Sequence, residues 1–106
     1  MSVLIIDDDI AVCTSLKFLL KQAGFEVNTS KSPEEAMGWL RKNTPSLILM
    51  DMNYSLETSG REGIELLQKV RIFHPLVTVI LLTGWASISL AVEGIKKGAT
   101  DFISKQ

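Results

Sequence analysis

The sequence predicts an α/β fold, an open parallel sheet with helices on both faces. Three observations carry that expectation. Short apolar runs rich in Val, Ile and Leu alternate with longer segments of helical spacing, in the order β-α-β-α-β-α-β-α-β. Two of the runs, Leu47–Met50 and Val77–Leu82, are nearly all apolar, which suits central parallel strands covered on both sides. The length of 106 residues fits one domain, and right-handed crossovers wind the helices onto both faces of a single sheet.

Each element follows from local pattern. Residues 2–7 form the first strand, and a helix runs from Asp9 to Ala23. Cys13, Leu16 and Leu20 fall at i, i+3 and i+7, with Leu19 beside them, and Gly24 stops the helix. Residues 25–29 form the second strand. Ser32-Pro33-Glu34-Glu35 then opens the second helix as a capping box with Pro at the first helical position, and Ala36 and Leu40 make its buried stripe. The third strand is residues 46–51. The third helix covers Arg61 to Phe73, with Ile64, Leu67 and Val70 as its apolar face, and His74-Pro75 ends it. Residues 76–83 are the fourth strand. The fourth helix covers Ser87 to Lys97. Ile88, Ala91, Val92 and Ile95 are expected to face inward, and Gly98 stops it. Residues 101–104 are the last strand.

Composition excludes several classes. Hydrophobic residues at 46% and charged residues at 22% mark a chain that folds rather than a disordered one. Eleven basic and twelve acidic residues give a net charge of -1, without the basic excess that grips nucleic acid by charge. No apolar run exceeds four residues, whereas a membrane span needs about 20. The N-terminus lacks the basic n-region of a signal peptide. The one cysteine, Cys13, excludes an internal disulfide and fits a reducing compartment, so the expected location is the cytoplasm.

In open parallel sheets a ligand site forms at the carboxyl ends of the strands. The first strand ends in Asp7-Asp8-Asp9, the third in Asp51 followed by Met52-Asn53, the fourth in Thr83-Gly84 and the fifth in Lys105. Three acids that close repel one another, and a hard divalent cation such as Mg²⁺ relieves the repulsion. Thr83 and Lys105 do not suit Mg²⁺. Both suit phosphoryl oxygens, one as a hydroxyl donor and one as a point charge. The set therefore reads as a phosphoryl-transfer site around a carboxylate nucleophile. Taken singly, each residue has a plainer reading. Asp9 is an N-cap, Asp7 and Asp8 are caps or ligands, Asp51 and Thr83 are turn residues, and Lys105 is solvated. Joint placement at four strand ends is what carries weight. Cys13 reads as a small core residue, His74 has no catalytic role, and Trp39 covers the second helix. Trp85 stands near the mouth of the site, and Glu57 and Glu62 are solvated charges.

With those residues in view, the chain resembles the receiver domains of bacterial two-component response regulators. The resemblance rests on Val3-Leu4-Ile5-Ile6-Asp7-Asp8-Asp9, Leu47-Ile48-Leu49-Met50-Asp51, Leu81-Leu82-Thr83-Gly84 and Gly98-Ala99-Thr100-Asp101-Phe102-Ile103-Ser104-Lys105, in order and with suitable spacing. It implies a flavodoxin-like, doubly wound five-stranded sheet of order 2-1-3-4-5. It implies that Asp51 is the phosphoacceptor for a sensor histidine kinase or phosphotransfer protein. Asp8, Asp51 and the carbonyl of Asn53 would bind Mg²⁺, with Asp7 helping through water. Thr83 and Lys105 would hold the phosphoryl group, and Phe102 would be the switch aromatic that follows Thr83. The output implied is transcription, with DNA reached only through a separate domain and no membrane contact. Leu90, Glu93 and Lys97 would lie on a helix-four to strand-five face suited to a homodimer. The stretches Thr83-Gly84-Trp85 and Ala91–Ala99 are most similar to receivers of the enhancer-binding, NtrC-like transcription regulators.

Three departures stand out. The family's Met-Pro pair after the phosphoacceptor is absent, and the matching Gly63 lies twelve residues beyond Asp51 rather than eight, so the loop Asn53–Arg61 carries four extra residues. Lys105 is followed by Gln106 instead of Pro. The family's fifth helix is missing after Gln106, so residues 1–106 are expected to be a receiver domain cut from a longer regulator, or an unusually short native chain. Loss of that helix is expected to expose apolar surface near Phe102 and along the flank of the first strand.

The leading expectation is a domain that catalyses its own phosphorylation and slow dephosphorylation, with no turnover of an external substrate. A bulky Trp85 should hinder the attacking water and lengthen the life of the phosphoryl group. The alternative is a phosphate-independent interaction module on the same fold, which the intact acids, Thr83 and Lys105 oppose. A haloacid-dehalogenase-like phosphatase is disfavoured because Asn53 stands where its second acid belongs. A flavodoxin is disfavoured because Asp7-Asp8-Asp9 replaces a hydroxyl-rich phosphate loop.

Overall fold

The computed structural model describes residues 1–52, 61–84 and 88–104. Asn53, Glu57, Trp85 and Lys105 therefore lie outside the described residues. The elements are β1 (Ser2–Ile6), α1 (Ile10–Gln22), β2 (Glu26–Ser30), α2 (Pro33–Leu40), β3 (Leu47–Asp51), α3 (Arg61–Phe73), β4 (Thr78–Thr83), α4 (Ile88–Lys96) and β5 (Asp101–Ser104). All neighbouring strands are parallel, and the sheet order is β2-β1-β3-β4-β5, as expected. Leu76 falls before β4 and stays exposed, because the chain is still turning after Pro75.

The helix signals act as the chemistry of their residues dictates. Asp9 caps α1, its Oδ1 accepting from the backbone N–H of Ala11 at 2.9 Å and of Val12 at 3.4 Å. Ser32 caps α2, its Oγ accepting from Glu35 N–H at 3.1 Å, with Pro33 in the first turn. Gly24 and Gly98 take positive φ of 95° and 120° and end α1 and α4.

The alternation of the strands divides the core in two. On one face Leu4, Ile6, Ile48, Met50, Val79 and Leu81 meet Ala36, Leu40, Ile64, Leu67 and Val70 from α2 and α3, with Trp39 against the edge. On the other, Val3, Ile5, Val27, Leu49 and Leu82 meet Cys13, Leu16 and Leu20 of α1. Leu19, on the flank of that stripe, is exposed.

The expectations of an inward-facing Val92 and Ile95 and of an exposed flank on the first strand need correction. In α4 the buried residues are Ala91 and Gly94, whereas Val92 and Ile95 are 45% and 37% exposed. The small pair lets the helix lie close on β4, and a Cβ on Gly94 would overlap Leu81 Cδ1. The bulky residues are thereby turned outward. Phe102 is half-buried against the larger core beside Leu90, and Val3–Ile6 of β1 are fully buried. Apolar surface is exposed near Phe102, as expected, at its neighbour Ile103, which points to the opposite face and borders a shallow groove with Val12, Leu16 and Leu82.

Arg71 and His74 tie one end of the molecule together. The Arg71 guanidinium donates to the carbonyls of Gly98, His74, Pro75 and Val77 and to Thr100 Oγ1. Burial pushes its pKa down, yet a guanidinium stays charged at neutral pH. His74 Nε2 donates to the Leu40 carbonyl at 2.8 Å, which joins the ends of α2 and α3.

Gly38 has no structural reason to be glycine. It lies inside α2, and a Cβ there would meet nothing within 4 Å. Gly38→Ala is expected to stabilise the fold by about 1 kcal/mol. Urea denaturation checks this, and an unchanged midpoint would contradict it.

Candidate functional site

Register brings the acids together. Ile6 pairs with Met50 across β1 and β3, so the next residues, Asp7 and Asp51, emerge side by side. Asp51 pairs with Leu82 on β4, which places Thr83 one step further along the same edge. One carboxylate oxygen from each of Asp7, Asp8 and Asp51 lies within 4.8 Å of the others. Asp7 is 0% and Asp51 6% exposed, and Asp8 is open to solvent. The structure thus unites the three acids expected at the site. Asn53 and Lys105, expected beside them, lie outside the described residues.

Backbone donors set the orientation of two carboxylates. Asp7 Oδ1 accepts from Asp9 N–H at 2.9 Å, while Asp7 N–H donates to the Ser30 carbonyl at 3.0 Å. Asp51 Oδ1 accepts from Met52 N–H at 2.8 Å. Asp9 is turned away to cap α1, which separates it from the cluster in role. Thr83 is 1% exposed, and its Oγ1 has no hydrogen-bond partner among the described residues. A buried hydroxyl without a partner costs on the order of 1–3 kcal/mol. It is a donor in need of an acceptor.

Two negative charges within 5 Å repel by about 3 kcal/mol at an effective dielectric of about 20. The donors of this cluster are all oxygens, two of the three acids are buried, and one side is open. That set fits a hard divalent cation completed by water and ligand oxygens.

Cys13 borders the site without belonging to it. Its thiol donates to the Asp7 carbonyl at 3.2 Å. Burial pushes the thiol pKa up, and the charges of Asp7 and Asp9 add to the shift. The thiolate is therefore disfavoured at neutral pH, in keeping with the reading of Cys13 as core. Phe102 pairs with Leu81 in register, two residues before β5 reaches Ser104 opposite Thr83. Sequence reasoning noted Met52 and Gly63 by position but assigned neither a role at the site. Met52 orients Asp51 through a backbone N–H that no residue type reveals.

Comparison with known proteins agrees with this geometry. Over residues 3–106 the sequence matches the response regulator receiver domain. The transcriptional regulatory protein ZraR of Klebsiella oxytoca is 32% identical over 105 residues, which are 99% of this chain and 23% of that protein. The chain thus spans about a quarter of the length of the curated relatives it matches. The receiver domain of NtrX from Brucella abortus superposes with a TM-score of 0.88 at 27% identity, covering 97% of this chain and 84% of that one. A receiver domain protein from Clostridium thermocellum gives 0.87 at 28% identity, covering 98% and 81%. These relatives agree with the expected likeness to NtrC-like regulators. The chain belongs to the response regulator receiver domain family.

Proposed function

We propose that this domain receives a phosphoryl group on Asp51 in a Mg²⁺-dependent reaction and relays its presence as a change of conformation. The observation that carries the reading is the triad of carboxylates at the strand ends, with the orphaned Thr83 hydroxyl beside it. Asp8, Asp51 and the Asn53 carbonyl would hold the cation, with Asp7 helping through water. When bound, the cation would supply positive charge to offset that of the acids and of the phosphoryl oxygens. The Asp51 carboxylate attacks phosphorus, the bond to the donor's imidazole nitrogen breaks, and the electron pair leaves with the imidazole. Thr83 and Lys105 hold the transferred group, as donor and as cation.

The donor is a sensor histidine kinase or a phosphotransfer protein, and the setting is the cytoplasm. Among the described residues no helix is long and apolar enough to cross a membrane. The doubly charged group draws Thr83 toward it, and Phe102 follows into the space released. The α4–β5 face, with Leu90, Glu93 and Lys97, carries the signal to a second copy or to an output that controls transcription. Residues 1–106 are the receiver part of that regulator, and Trp85 limits water at the acyl phosphate.

Acetyl phosphate tests this in solution. With Mg²⁺, intact mass is expected to rise by one phosphoryl group. With the metal removed by EDTA, no gain is expected. Failure to gain mass with folded protein and Mg²⁺ would overturn the proposal in favour of a phosphate-independent module.

A further inference from the structure

We propose that Gly63 is a positioning residue for Asp51, acting through the backbone of Met52. This rests on the reading of Asp51 as phosphoacceptor. Gly63 lies in the first turn of α3 and is buried. A Cβ built there would stand 2.5 Å from the Met52 carbonyl oxygen, 2.9 Å from its Cα and 3.0 Å from its carbonyl carbon. All three contacts are backbone, so no side chain can rotate away to make room.

What that backbone does gives the contact its meaning. The same Met52 donates its N–H to Asp51 Oδ1 at 2.8 Å and so sets the orientation of the carboxylate. Its side chain is fully buried among the residues of the larger core, including Ile64 and Leu67. Met52 is thus held between the core and the start of α3. Glycine is a poor helix former, and alanine would be better at this position were the space open. The space is closed, and the cost of glycine is met by the close approach that seats Met52.

A methyl group at position 63 must therefore displace Met52 Cα. The displacement turns the 51–52 peptide and loosens the N–H bond to Asp51. Misplacement of a reacting group by about 1 Å can cost on the order of a hundredfold in rate. The effect falls on the orientation of Asp51, because the three atoms nearest such a methyl group are all backbone of Met52, the next residue in the chain.

Four proteins test this: the wild type, Gly63→Ala, Gly38→Ala and the double variant. Gly38→Ala is the stabiliser in α2, away from the site. Phosphoryl uptake from acetyl phosphate is followed at saturating Mg²⁺, with Tm and the ¹⁵N-labelled Met52 amide resonance measured on each. Gly63→Ala is expected to slow uptake by about tenfold or more and to shift the Met52 resonance. The double variant is expected to regain Tm without regaining rate. A rate within twofold of wild type in Gly63→Ala would overturn the proposal. So would a rate that recovers in step with Tm in the double variant. Should neither Gly63 variant fold, Asp51→Asn supplies the reading: the bond to Oδ1 persists but its acceptor loses its charge, so the Met52 amide resonance must shift, and an unshifted resonance would show that the Met52 N–H does not engage Asp51 and overturns the proposal. A wild type that takes up no phosphoryl group defeats the phosphoacceptor reading itself. A competent wild type with an unaffected Gly63→Ala defeats only this inference.

Discussion

Asp51→Asn is expected to abolish phosphoryl uptake while leaving the fold intact. Asparagine keeps the volume and an Oδ1 that accepts the Met52 N–H, so the local backbone has no reason to move. What it lacks is a carboxylate oxygen able to attack phosphorus, since an amide is no nucleophile at neutral pH. The substitution also removes one of three crowded charges. The variant's Tm in EDTA is therefore expected to equal or exceed that of the wild type. Uptake measured by intact mass beside Tm separates the two effects. Loss of uptake together with collapse of the fold would contradict the account, as would uptake that persists on another acid.

Arg71→Ala is expected to have the largest effect on stability, a loss of about 3 kcal/mol. The guanidinium serves four carbonyls and one hydroxyl drawn from the α3–β4 turn and the α4–β5 turn. A hydrogen bond from a charged donor is worth about 1.5–3 kcal/mol, but the total is less than the sum. Pro75 and Thr100 are exposed, so water replaces the donor there. Gly98 and Val77 are the partners left short. Arg71→Lys should recover less than half of the loss, because a point charge cannot span the acceptors of a planar fork. Urea denaturation measures both variants, and a loss below about 1 kcal/mol for Arg71→Ala would show that the tie is dispensable.

How much of this was legible beforehand depended on the kind of signal. Strands were readable because buried parallel strands are runs of apolar residues, and Leu47–Met50 is little else. Asp9 and Ser32 announced their helices because a cap is local chemistry. The acid cluster followed from topology, since parallel strands deliver their last residues to one edge. The inward face of α4 was misread for a physical reason. Periodicity marks an apolar stripe but not how near the helix lies, and Gly94 and Ala91 bring it close enough to turn Val92 and Ile95 out. Arg71 gave no signal because its partners are mostly carbonyls, which every residue has. Gly63 was visible as a displaced family glycine, but its contact with Met52 exists only once α3 is folded against β3.

The most direct test of the central claim is to locate the phosphoryl group. The protein is treated with acetyl phosphate and Mg²⁺, then with borohydride, which reduces an acyl phosphate to the alcohol. Peptide mass spectrometry finds where homoserine has replaced aspartate. The account predicts homoserine at position 51 and nowhere else, with none formed in EDTA. Homoserine at position 7 or 8, or uptake that does not depend on the metal, would contradict it.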